Sequence, residues 1–159
     1  MERFTRLYVA LDSTTRTLPK VAALEAYFRE APPEDAAWAL FVLSGRRIKR
    51  AVTHTDLRLA AAEAADLPEW MINECYNAAG DLSETIALVV PPPAQPGEIA
   101  LHQAFERFII PMRRMDEGAR RQALRTIWSI LPQDQRLIFH KLISGSFRVG
   151  VSRTLTVRA

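Results

Sequence analysis

Cysteine is almost missing from this chain. Cys75 stands alone, which excludes an internal disulfide and fits a reducing cytoplasm. It sits at helical spacing among apolar neighbours and reads as a buried, inert thiol. Histidine is scarce and scattered: His54, His102 and His140 lie far apart, and no His, Cys, Asp or Glu set has metal-ligand spacing. No apolar run approaches the ~20 residues of a membrane span, and the opening M-E-R-F-T-R-L-Y has no signal-peptide pattern. The phosphate-loop pattern G-x-x-x-x-G-K-[ST] is absent. No strong alternating strand or hairpin turn signal occurs, and Val149 to Val157 is the only stretch where a strand would fit. These absences leave a helical, cytoplasmic chain with no membrane contact, no metal site and no catalytic constellation.

What is present is enough for one large domain or two halves sharing a core. The chain has 159 residues, 48% of them hydrophobic, and a formal net charge of +3. The charge is unevenly placed. No acid lies between Asp35 and Asp56, where Arg46, Arg47, Lys49 and Arg50 fall. No acid follows Asp134, while Arg136, Lys141, Arg148, Arg153 and Arg158 do. Such local positive charge suits phosphates, or else forms a solvated basic face.

Apolar periodicity and caps predict about ten helices. Phe4, Leu7, Tyr8 and Leu11 give the first, from about Arg3 to Asp12. Thr17 is the expected N-cap of the second, whose inner face is Val21, Leu24 and Phe28. Pro33-Glu34-Asp35 opens a third that ends at Gly45. Thr53 or Thr55 caps a fourth, and Asp66-Leu67-Pro68-Glu69 starts a fifth carrying Trp70, Ile72 and Tyr76. Asp81 to Glu84 is a capping-box-like start of a sixth, a better reading than paired catalytic carboxylates. The proline-rich segment 91–97 is the best internal boundary. Beyond it, Leu101 to about Met112, then Asp116 to Leu131, then Pro132 to Gly145 give three more. Leu137, Ile138, Leu142 and Ile143 are the expected inner side of the last of these. A tenth starts near Ser152. Trp38, Trp70 and Trp128 are expected on core-facing helix sides.

The two halves, about 1–90 and 98–159, match at an offset near one hundred. Phe4 and Leu7 pair with Phe105 and Phe108. Leu24, Phe28, Pro32, Ser44 and Gly45 pair with Leu124, Trp128, Pro132, Ser144 and Gly145. Three helices and a basic glycine loop therefore occur twice, as expected of units packed about a pseudo-twofold axis. Glycine lets a backbone approach a phosphate, and a helix start offers free amides. The first loop supplies Gly45, Arg46, Arg47 and Lys49; the second supplies Ser146, Arg148, Gly150, Ser152 and Arg153. A third candidate is Thr14, Thr15, Arg16 and Thr17 with Lys20. Contacts to phosphates carry no base information, so binding is expected to ignore sequence.

The order L-S-G-R-R-I-K-R, A-G-D-L-S-E-T, P-P-P and F-H-K-L-I-S-G-S-F-R-V-G-V-S-R-T-L resembles the N-terminal DNA-binding domain of ATP-dependent DNA ligases in the bacterial form. The resemblance covers essentially the whole chain, 1–159. Its most specific parts are Gly80-Asp81-Leu82 with Glu84, and the run from Gly145 to Gly150. It implies an all-α domain with internal pseudo-twofold symmetry, a monomer that clamps nicked double-stranded DNA from the minor-groove side in a bacterial, nucleoid-associated setting. Repair, replication and recombination are the processes implied. In that family chemistry starts at a K-x-D-G lysine. Lys20, Lys49 and Lys141 are the only lysines and none stands in that motif. The resemblance therefore implies no enzyme activity in this chain alone. It places ATP, Mg²⁺, the nucleotidyltransferase domain and the OB-fold domain in the rest of a longer polypeptide. The other reading of the residues is a helical protein-interaction module whose basic loops meet an acidic partner.

Overall fold

Phe4, Leu7 and Leu11 lie on one side of α1 (Glu2–Asp12) and are buried there, as their spacing predicts. The computed structural model describes residues 1–46, 48, 51–145, 147, 149–151 and 156, and within them every regular element is helical. α2 (Thr17–Glu30) packs on α1, and α3 (Pro33–Leu43) follows with Glu34 and Asp35 in its first turn. α4 (His54–Ala65) starts at a complete capping box. Thr53 Oγ1 accepts from the Asp56 amide at 3.0 Å, and the Asp56 carboxylate accepts from the Thr53 amide at 3.2 Å. Asp66, expected to help start the next helix, instead closes α4 in the left-handed region at φ 52°. α5 (Glu69–Ala79) and α6 (Leu82–Val89) form a hairpin about Gly80, with the Asp81 carboxylate accepting from the amides of Ser83 and Glu84.

α7 is one run in three parts: Leu101–Gln103, a π-helical Ala104–Ile109, and Ile110–Met112. Its cause is visible in the sequence. Pro111 has no amide hydrogen, so a regular helix would lose a bond there. The wider turn, with the Ile110 amide donating to the Phe105 carbonyl, absorbs the mismatch. α8 (Glu117–Trp128) is capped by Asp116, and α9 (Gln133–Ser144) begins after Pro132. Thr156 is helical, and the rest of the expected tenth helix lies outside the described residues.

The hundred-residue offset reappears in the helix order. α2 and α8 begin at Thr17 and Glu117, and α3 and α9 at Pro33 and Gln133. The caps Gly45 and Gly145 both sit at positive φ, 80° and 72°. α1 packs on α9, and its counterpart α7 packs on α3, so the matched helices exchange neighbours reciprocally. Among the described residues α4 to α6 are matched by no full helix of the second half; α4 lies on α8 and α6 on α9. One hydrophobic core runs through all of these elements. Segment 91–97 is pinned at both ends: Arg136 holds the carbonyls of Val90 and Pro91, and the Gly97 amide donates to the Ile130 carbonyl at 3.0 Å.

Two tryptophans meet expectation and one does not. Trp128 is fully buried edge-on to His140, and Trp38 stacks on Phe105 at 4.4 Å. Trp70 is 62% exposed, because its helical neighbours at three, four and seven positions on are Asn73, Glu74 and Asn77. In α9 the buried side includes Arg136, Phe139 and His140 beside the expected Ile138, Leu142 and Ile143, while Leu137 is only half-buried.

Polar cross-links join distant elements. Arg120 donates to the Asp56 carboxylate at 2.6 Å and to the carbonyls of Met112 and Met115. The Asp35 carboxylate accepts from the His102 amide and faces its Nδ1 at 2.7 Å, joining α3 to α7. Lys141 pairs with Asp81 at 3.2 Å. Burial pushes the His140 imidazole down to about 3; the Arg136 charge adds to this, and the 3.4 Å contact from Nδ1 to the Ser83 carbonyl and the Asp81 carboxylate oppose it without offsetting it. Burial opposes ionisation of Asp35, Asp56 and Asp81. Hydrogen bonds from His102, from Thr53 and Arg120, and from Glu84 and Lys141 outweigh it, so all three carboxyls lie below the ordinary carboxylate value.

All four groups have folded-state values below their unfolded ones. Their contribution is therefore present above the unfolded value and lost as pH falls through the folded value. His140 acts first, from pH 6.5 down toward 3; the three aspartates act below 3.8. Between pH 6 and 5, above the range where the aspartates add to it, the unfolding free energy in urea is expected to fall by about 1.4 kcal/mol per pH unit at most, one proton's worth. The variant His140→Phe should flatten that slope. Stability independent of pH in this window would contradict the assignment.

Candidate nucleic-acid interface

The predicted contacts divide in two. Thr14, Thr15, Arg16, Thr17, Lys20, Gly45, Arg46 and Gly150 are described; Arg47, Lys49, Ser146, Arg148, Ser152 and Arg153 lie outside the described residues.

The α1–α2 turn is folded on itself. Thr14 Oγ1 accepts from the Arg16 amide at 3.1 Å, and Thr15, Arg16 and Thr17 are exposed. The N-cap of α2 is Arg16, in extended backbone, so Thr17 is the first helical residue and not the cap expected from its hydroxyl. Arg16 offers no acceptor, so the N-cap side chain does not cap the first amides of α2. Lys20, one turn further on, is not at the surface. It is 6% exposed, and its Nζ donates to the carbonyls of Val149 and Gly150 at 2.8 and 3.0 Å. It is therefore no open phosphate contact; it joins the first candidate turn to the last.

The two Ser-Gly corners meet. Gly45, Arg46, Gly145, Gly150 and Val151 line one cavity of about 310 Å³ walled by Phe41 and Phe105. Gly45, Arg46 and Gly150 are exposed. The stretch after Gly145 is anchored from below. Phe147 stacks on Phe4 at 5.5 Å and tilts against Tyr8, and Val149 is buried. Sequence reasoning missed these anchors, although Phe147, Val149 and Val151 alternate with polar or glycine positions, a pattern of inward and outward residues.

The acid-free run after Asp134 is less basic at the surface than its composition implies. Arg136 is fully buried and Lys141 is paired with Asp81. Arg16 and Arg46 are the exposed cations of the described candidate residues. The arrangement brings the glycine turns and Arg46 together at one cavity. Among the described residues no three His, Cys, Asp or Glu side chains come together to hold a metal.

The family described as DNA ligase N terminus matches residues 1–159. A DNA ligase of Cenarchaeum symbiosum (strain A) is 27% identical over 163 residues, which cover 94% of this chain and 28% of that ligase. The chain thus spans less than a third of the length of this curated relative, which is archaeal. With the match running over residues 1–159, the chain belongs to the DNA ligase N-terminus family.

Proposed function

We propose that the chain is the DNA-holding domain of an ATP-dependent DNA ligase. It binds duplex DNA without regard to sequence and clamps it at a nick through phosphate and minor-groove contacts. The observation that carries this reading is the meeting of Gly45 and Arg46 with Gly145 and Gly150 around one cavity. Two glycine corners one hundred residues apart present open backbone and positive charge on the same face. The reciprocal packing of α1 on α9 and α7 on α3 supports a pseudo-twofold pair, suited to two stretches of phosphate. Residues 1–159 act as one domain, with 91–97 as the joint between its halves. Adenylation and sealing, with ATP and Mg²⁺, belong to nucleotidyltransferase and OB-fold parts of the longer polypeptide.

Arg16 and Arg46 are exposed and take part in none of the described ion pairs, so they test the reading without disturbing the core. The double variant Arg16→Ala, Arg46→Ala is expected to weaken binding to nicked duplex about tenfold or more at ~100 mM salt, with the thermal midpoint nearly unchanged. Fluorescence anisotropy and a thermal melt read the two quantities. Unchanged affinity would remove both arginines from the interface.

A further inference from the structure

Lys20 is a buried ammonium with no carboxylate among its described partners; its hydrogen-bond acceptors are the carbonyls of Val149 and Gly150. In a trans peptide the C=O and N–H point to opposite sides, and no peptide bond among the described residues is cis. The carbonyl of Val149 shares its peptide with the amide of Gly150, and the carbonyl of Gly150 with the amide of Val151. Drawing both carbonyls onto one Nζ therefore turns both N–H groups away from Lys20, toward the opposite side of the loop. Two successive peptides face the same way only if the residue between them is in a helical region, and Gly150 supplies this at φ 57°. A side chain there would also crowd Lys20, since a Cβ would lie 3.0 Å from Nζ. Neither amide has a partner among the described residues. Paired amides of this kind form an anion-binding nest.

We propose that Lys20 is a positioning residue that aims the Gly150 and Val151 amides at one phosphodiester of the bound DNA. Its buried charge supplies the positive potential behind that seat. This rests on the DNA-binding reading and deepens it: Lys20 holds the phosphate through the loop and does not touch it.

The test is an amide-resolved NMR titration of the 159-residue chain with nicked duplex, run beside anisotropy. In the wild type the Gly150 and Val151 amide protons are expected to move downfield as DNA binds. In K20M those two shifts should disappear and affinity should drop about tenfold, while perturbation around Arg46 persists. That last signal separates loss of positioning from general unfolding. If DNA binds but the two amides do not move, or K20M binds as tightly as wild type, the inference is overturned and the DNA reading stands. If the wild type binds no DNA at low salt, the DNA reading itself fails and takes the inference with it. Should K20M not fold, the wild-type shifts alone decide.

Discussion

Arg136→Met is expected to lower the unfolding free energy by about 4 kcal/mol, the cost of breaking a buried charged network from one side. Arg136 is fully buried, yet no carboxylate is among its described partners. Its guanidinium donates to the carbonyls of Val90, Pro91, Trp128 and Leu131 at 2.6 to 3.4 Å. Val90 caps α6 and Trp128 ends α8, while Pro91 and Leu131 follow just beyond those ends. Each helix end carries roughly half a negative charge, so two ends together offset about one cation. Burial lowers the pKa of the guanidinium from its ordinary value without removing its charge. Methionine fills similar volume but leaves both helix ends and the start of segment 91–97 without donors. Arg136→Lys should also destabilise, because one ammonium cannot reach four divergent carbonyls. Urea denaturation reads the effect, and a loss below about 1 kcal/mol would show that water or backbone movement replaces the guanidinium.

What could be seen in advance was local. Helix ends are set by a few consecutive residues, so Gly45, Gly80 and Gly145 as stops, and Asp81 and Asp116 as caps, were legible. What could not be seen was long-range. Lys20 and Gly150 are 130 positions apart, and no local pattern says that a lysine will bury itself on two carbonyls. Arg136 misled for the same reason: counted as surface charge, it lies on the buried stripe with Phe139, His140 and Ile143. Trp70 is a different failure. Its aromatic bulk suggested the core, although the polar Asn73, Glu74 and Asn77 on its own face said otherwise. At the candidate interface the glycine corners were found from their repeat. That they share one cavity is a property of the packing of α1, α3, α7 and α9.

The second large effect concerns the DNA itself. Binding through phosphates releases condensed counterions, and the logarithm of the affinity falls linearly with the logarithm of salt. With roughly four to eight phosphates neutralised, affinity for duplex should fall about 10²- to 10⁴-fold between 50 and 200 mM salt. The exposed Arg16 and Arg46, the start of α2 and the Gly150 turn are the described groups proposed to contribute. Base sequence should change the result little, since contacts to phosphates carry no base information. Fluorescence anisotropy of the chain with nicked duplex across this salt range is the most direct measurement. The account predicts tight binding at 50 mM and a steep, sequence-independent decline. A flat salt response, or no binding at the lowest ionic strength, would contradict it.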